Sequence, residues 1–185
     1  MSLAIAVITP SLPSRAEMLG EACESVARQT LQPREHLIGV DWGRRGSAYM
    51  RNQLVAASRH SDWIAFLDDD DLMWPHHLER LAEETLAGAD IVYSNCDGPA
   101  VVRAFDPEAL GIGNFIPATV LMRRSLFRSL NGFMPSSAVE QGWEDWDLWK
   151  RALAAGARFA YVPQKTWVYR MHAGSKTNVG EALAA

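Results

Sequence analysis

"WIAFLDDDDLMWPHH", residues 63–77, carries a five-residue apolar run straight into four aspartates, Asp68 to Asp71. A short apolar run bounded by charge reads as a buried strand. Pro75 then fits the first turn of a helix that carries Leu78, Leu81 and Ala82 on one side, with His76 and His77 on its surface. Strand, acidic turn, helix is one unit of an α/β sheet, and the same unit recurs on either side. Residues 3–8 form an apolar run stopped by Thr9, Pro10 and Ser11, and Ser14 stands three before Glu17, the spacing of a capping box. Residues 36–40 read as a second strand ending at Asp41, 48–58 as a helix, and 91–94 as a further strand. This alternation predicts an α/β fold: a mostly parallel sheet with helices on both faces.

The later half is less regular. Residues 97–116 mix glycine, proline and scattered apolar residues without a period, and 118–122 resumes a strand. A helix is expected from Glu144 and Asp145 to a stop at Gly156, followed by strands at 159–162 and 166–169. Trp146 and Trp149 lie on one face of that helix and read as core, while Trp143 precedes it and could line a pocket. The whole chain, 1–185, reads as one domain: a first part over about 1–96, a second over about 97–175, and a tail at 176–185.

Composition narrows the function classes. With 48% hydrophobic and 22% charged residues the chain can bury a core without disulfides. No stretch approaches the ~20 apolar residues of a transmembrane helix, and the N-terminus lacks a basic region and cleavage site. Two distant cysteines, Cys23 and Cys96, suit a reducing compartment, and a cytoplasmic location is expected. A net charge of -4 argues against broad affinity for nucleic acid. The sequence contains neither a P-loop, a Rossmann glycine fingerprint, a nucleophile elbow nor a zincin motif.

Ligands of open α/β sheets gather at strand carboxyl ends, where Thr9, Asp41 and the aspartates all fall in this reading. Four adjacent carboxylates repel one another, and a divalent cation is an economical compensator. A solvated acidic turn at a helix start is the simpler alternative. Glu144 and Asp145 sit where helix N–H groups favour ionised carboxylates, so either one caps the helix or one accepts a proton. His172 and Arg170 follow the last strand and could meet a metal, a phosphate or the acidic cluster.

Six pieces in order, AVITPSLPSR, MRN, FLDDDD, NGF, WEDWDLWKRA and YRMH, resemble family 2 glycosyltransferases over about residues 4–175. The resemblance implies the GT-A fold and a metal-dependent, inverting transfer of sugar from a nucleotide-diphosphate donor, a UDP-sugar, to an acceptor hydroxyl. Carried over residue by residue, it implies that Thr9, Pro10 and Ser11 touch the nucleotide and Asp41 reads the base. Arg15 and Arg51 would frame that pocket. Asp68 would approach the ribose, Asp70 would hold Mn2+ or Mg2+, and Asp71 would face the donor sugar. Asp69 would occupy a variable, dispensable place. Asp145 would be the base with Glu144 beside it; Trp143 would meet the acceptor, and His172 and Arg170 the metal and diphosphate.

One departure is informative. In VDWGRRGSAYMRN, residues 40–52, the second strand runs almost directly to the arginine-asparagine pair, where many members of that family insert a helix and a strand. The fold is therefore expected to be shortened by about one helix and one edge strand. The second strand would be left at a sheet edge, which a homodimer would cover. Two other readings stay open: a metal-dependent nucleotidyltransferase or phosphohydrolase, and a non-catalytic nucleotide-sugar binding module. The acceptor is unnamed by the sequence: glycan, protein, lipid, small molecule or modified base.

Overall fold

The computed structural model describes residues 3–135, 138–139 and 142–172; the tail expected at 176–185 lies outside them. Seven strands form one sheet, in spatial order β2-β1-β3-β6-β5-β7-β4. They span Ile5–Ser11 (β1), Glu35–Val40 (β2), Trp63–Phe66 (β3), Leu72–Met73 (β4), Ile91–Asp97 (β5), Val120–Arg123 (β6) and Phe159–Val168 (β7). β1 pairs in parallel with β2 and β3, and β5 with β7, whereas β6 is antiparallel to β3 and β5, and β4 to β7. Five strands thus share one direction and β4 and β6 oppose them, the mostly parallel sheet that was expected. β2 lies at one edge, as the short connection to the next helix implied.

The strand period of two sorts the core. On β1 and β3, Ile5, Val7, Trp63 and Ala65 enter one apolar cluster, and Ala6, Ile8, Ile64 and Phe66 enter the other. The first face is covered by Ala22 and Val26 of α1 (Ala16–Ala27) and by Leu78 and Leu81 of α3 (His77–Leu86). The second face is covered by α2 (Ser47–Ala57), α4 (Pro107–Ile112), α5 (Arg124–Ser129) and α6 (Glu144–Ala154). Trp149 of α6 is fully buried and its indole N–H donates to the Ile116 carbonyl at 3.0 Å, so it is core as expected. Burial of a side chain that large stabilises by roughly 2–3 kcal/mol.

Several local expectations fail for physical reasons. Ser14 does not cap α1: Pro13–Arg15 form a 3-10 turn, and no side chain caps the helix at Arg15. Pro75 lies ahead of α3 rather than in its first turn, and His77 is buried, bonding Thr166 of β7 through Nδ1 at 2.7 Å. The two expected final strands are one strand. Ser94 pairs with Val162 and Asn95 with Lys165, so the register slips by two residues on β7 and leaves Pro163 and Gln164 in the irregularity. Proline cannot donate to a ladder, and a bulge is where a strand tolerates it. β4, a two-residue strand on the far edge, had no sequence signal, yet its pairing brings the aspartate turn to the end of β7.

Candidate active site

Three strand ends and two helices converge on the aspartates. β1 ends at Ser11, β3 ends just before Asp68, and β7 ends just before Arg170 and His172. Each aspartate takes different partners. Asp69 is buried; its Oδ2 accepts from Ser11 Oγ at 2.7 Å and from the Leu12 amide at 3.3 Å, and its Oδ1 accepts from Arg15 Nη1 at 2.8 Å. The residue expected to be dispensable is thus the one most tied into the fold. Asp70 Oδ2 meets Arg15 Nη1 at 2.8 Å and His172 Nε2 at 3.0 Å. Asp68 pairs with Arg51 of α2. Asp71 accepts from the Arg170 amide at 3.0 Å. Burial, with the charges of Asp68 and Asp70, pushes the Asp71 carboxyl up to about 8 against the opposing Arg170 contacts.

The arginines divide their work. Arg51 is 5% exposed, stacks 5.3 Å from the Phe133 ring centroid, and has no hydrogen-bond partner for Nε among the described residues. Its guanidinium also feels the charges of Asp145 and Glu144, after that of Asp68, and these outweigh its burial and raise its pKa. Arg170 was expected at a diphosphate. Its side chain instead bonds the Asp70 carbonyl and Glu21 of α1, with Met18 and Asp69 carbonyls at 3.4 Å, so it clamps the aspartate turn to α1.

Where the nucleotide was expected, the side chains are largely committed within the protein. Thr9 is buried and its Oγ1 meets His36 Nε2 at 3.0 Å; Pro10 is buried beside it on β1. Asp41 is 5% exposed and accepts from the Gly46 amide at 2.8 Å. Burial opposes its ionisation, but the amides of Arg45, Gly46, Gly43 and Arg44 outweigh it and hold the carboxyl below the usual range. Asp41 therefore shapes the 43–46 loop, and Trp42 beside it is 80% exposed.

Asp145 stands in the first turn of α6, half-buried, next to buried Glu144. Its Oδ1 accepts from the Trp146 amide at 2.8 Å and its Oδ2 from Asn114 Nδ2 at 3.1 Å. Burial pushes its carboxyl up to about 6, assisted by Glu144 and opposed by the Trp146 amide, Arg51 and Asn114. Trp143, at the N-cap, is 39% exposed and packs 4.9 Å from the Trp146 ring. Asn114 escaped sequence reasoning because it lies in a stretch with no period. Asn52 was visible only as part of MRN: its amide bonds both the N–H and the carbonyl of Phe133, at 3.0 and 2.8 Å. That explains NGF, since at Gly132 (φ +69°) a Cβ would stand 2.5 Å from Asn52 Oδ1.

Asp70 and His172 fit a hard divalent cation. An oxygen and an imidazole nitrogen lie 3.0 Å apart on one side of the turn. Among the described residues no group of three His, Cys, Asp or Glu is arranged to hold a metal. Mg2+ and Mn2+ need only one or two protein ligands when substrate phosphates supply others, so two suffice.

The sequence pattern of glycosyl transferase family 2 matches residues 21–140. The chain belongs to that family. Succinoglycan biosynthesis protein ExoO of Rhizobium meliloti (strain 1021) is 31% identical over 170 residues, covering 80% of this chain and 48% of that protein. An uncharacterized glycosyltransferase, YwdF of Bacillus subtilis (strain 168), is 27% identical, covering 91% of this chain and 74% of the relative. Among solved structures, S. aureus TarS 1-349 in complex with UDP-GlcNAc has a TM-score of 0.73 at 13% identity, covering 94% of this chain and 60% of that one. Mannosyltransferase PcManGT from Pyrobaculum calidifontis, in complex with GDP-Man and Mn2+, has a TM-score of 0.70 at 16% identity, covering 94% and 59%. The fold is therefore GT-A, and the chain spans about half the length of ExoO and 60% of TarS 1-349. No helix among the described residues is long and apolar enough to cross a membrane.

Proposed function

We propose that the chain transfers a sugar from a nucleotide-diphosphate donor, a UDP-sugar, to an acceptor hydroxyl with inversion, using Asp145 as the base. The observation that carries this reading is the presence of Asp145, a carboxyl pushed up to about 6, together with an aspartate turn whose carboxylates are bonded by Arg15, Arg51 and His172. A carboxylate with that pKa is ionised at neutral pH yet a better proton acceptor than an ordinary one. As the acceptor oxygen attacks, its proton passes to Asp145, while Asn114 and the Trp146 amide fix the carboxylate's orientation. A single base on the face opposite the leaving group inverts the anomeric carbon.

Asp70 and His172 would hold Mn2+ or Mg2+, which supplies charge stabilisation to the leaving diphosphate. The Mn2+ complex of PcManGT supports this choice of cofactor. Asp68, bonded to Arg51, would approach the ribose, and Asp71 would face the sugar. The backbone of residues 9–11 and the Asp41 loop would border the nucleotide, and Trp143 the acceptor. Residues up to about 96 serve the donor in this reading and those beyond serve the acceptor and the chemistry, within one domain. A cytoplasmic setting suits the free thiols of Cys23 and Cys96. The β2 edge, with Ile38 43% exposed, would be covered in a homodimer; sedimentation as a monomer at micromolar concentration would remove that element.

The deciding experiment incubates the full chain with UDP- and GDP-sugars, with Mn2+, Mg2+ or a chelator, and identifies the product released. A nucleoside diphosphate formed only with metal is expected. Pyrophosphate or inorganic phosphate would instead indicate a nucleotidyltransferase or phosphohydrolase, and binding without any product a non-catalytic module.

A further inference from the structure

Asn114, which orients Asp145, also lines an open cavity of about 240 Å³ together with Val101, Arg103, Ile112 and Phe115. The walls are apolar and unusually bare: Val101 is 68% and Ile112 85% exposed. Arg103 is the cation of this cavity. Its guanidinium lies 4.7 Å from the Phe115 ring centroid, and its carbonyl accepts from the Tyr93 hydroxyl at 2.9 Å, which ties the strap to β5. No carboxylate pairs with it among the described residues. The fixed ring below and the free charge above leave the guanidinium ready to receive an anion.

A surface arginine over a phenylalanine is common and usually means little. Here three further facts coincide: bare aliphatic side chains, a cavity of about 240 Å³, and a wall residue, Asn114, that also bonds Asp145. Resting on the glycosyltransferase reading, we propose that this cavity is a subsite for the acceptor. It takes an acceptor bearing an anionic group, phosphate or carboxylate, directly beside a compact apolar group. The anion pairs with Arg103, the apolar group covers Ile112, Val101 and the Phe115 edge, and the hydroxyl to be glycosylated then reaches Asp145 past Asn114. Exposed aliphatic surface supplies affinity and the single cation supplies selection, since a neutral ligand would leave the arginine partly desolvated without a partner.

Phenyl phosphate is the probe, with phenylacetate as the carboxylate counterpart, benzyl alcohol as the neutral one and inorganic phosphate as the anion without a ring. Amide shifts of the full chain are followed with the donor site filled by UDP and Mg2+, and donor hydrolysis is followed separately. Phenyl phosphate or phenylacetate is expected to shift residues 112–115, binding at least tenfold tighter than benzyl alcohol or inorganic phosphate. It should slow donor hydrolysis at the concentration at which it binds. Arg103→Gln should raise both concentrations about tenfold, and Arg103→Lys should keep the preference for the anion; Ile112→Ser, at an exposed position, should weaken binding without loss of folding. Shifts confined to 9–11 and 68–71, equal binding of the neutral probe, or binding that leaves hydrolysis untouched would each overturn the proposal. A chain that releases no nucleoside diphosphate from any donor would instead remove the glycosyltransferase reading, and the acceptor assignment with it.

Discussion

The aspartate turn and the start of α6 both hold carboxylates partly out of water, and apart from Asp71, which burial pushes up to about 8, they do so with different kinds of partner. In the turn, Asp68, Asp69 and Asp70 each meet an arginine or a histidine brought from a distant segment. At α6, Asp145 has one backbone amide and one neutral side-chain amide, and its pKa rises to about 6. A carboxylate bonded to arginine or histidine side chains serves as a ligand or an anchor. One whose direct donors are neutral, as at Asp145, keeps its affinity for a proton even with the charge of Arg51 opposing. The same residue type is thereby given two kinds of work by its surroundings.

The largest break in this contrast is expected from Asp145→Asn, which keeps the shape but removes the proton acceptor. Nucleoside diphosphate release should fall by roughly 10³-fold. Affinity for UDP with Mn2+, measured by calorimetry, should change by no more than about twofold, because the donor side keeps all its partners. Retained turnover would remove the base from α6. Next in size is Asp69→Ala. It removes the shorter of the two bonds of Ser11 Oγ, the Leu12 amide's partner and one contact of Arg15, and should cost about 2–3 kcal/mol in denaturant unfolding. A neutral result would mean that the contacts of Arg15, Arg51, His172 and Arg170 hold the turn without Asp69. Asp70→Ala should be milder for the fold, since Arg15 keeps Asp69. Its effect should appear in ligand binding, as an at least tenfold loss of UDP affinity that is present in Mn2+ and absent with a chelator.

How far each half was legible follows from the kind of contact that builds it. The half that holds the aspartate turn rests on strand ends, and apolar runs with period two announce strands; β1, β2, β3 and the aspartate turn were all in view. What the residues did there was less so. Arg170 was expected at a phosphate and instead clamps backbone, and Asp69 was expected to be idle and instead bridges β1 to β3. Both outcomes depend on partners 58 and 100 residues away in sequence, Ser11 to Asp69 and Asp70 to Arg170, which no local pattern encodes. The half around the start of α6 was legible only at Glu144 and Asp145. Asn114 and Arg103 sit in 97–116, where six-residue α4 is too short to leave a helical period and the strap between β5 and α4 has none. β4 stayed hidden because two residues make no pattern, although its pairing with β7 assembles the candidate metal site.

The smallest effect separates the two halves through stability rather than turnover, and it uses Glu35 of β2 as a reference. Burial opposes ionisation of Glu35, but the Ser58 and Ser61 hydroxyls and the Arg59 and His60 amides outweigh it and bring the carboxyl down to about 2. A depressed folded pKa contributes stability that is present above the unfolded value and lost as pH falls through the folded one. Glu35→Gln should therefore destabilise at pH 7, by about 1–2 kcal/mol, and the difference should close toward about pH 2. Asp145 has the opposite sign. With its folded pKa raised to about 6, the native protein binds the proton more tightly than the unfolded chain, so ionising it at neutral pH costs stability. Asp145→Asn should raise stability at pH 7 by about 1 kcal/mol, and the gain should shrink as pH falls below about 6 and vanish below the ordinary aspartate range. A variant that is inactive, more stable at neutral pH and no different in acid would show that the chain holds this carboxylate at a cost for the sake of its reactivity. If Asp145→Asn is destabilising at pH 7, the carboxylate is a structural cap of α6, and the contrast with the aspartate turn disappears.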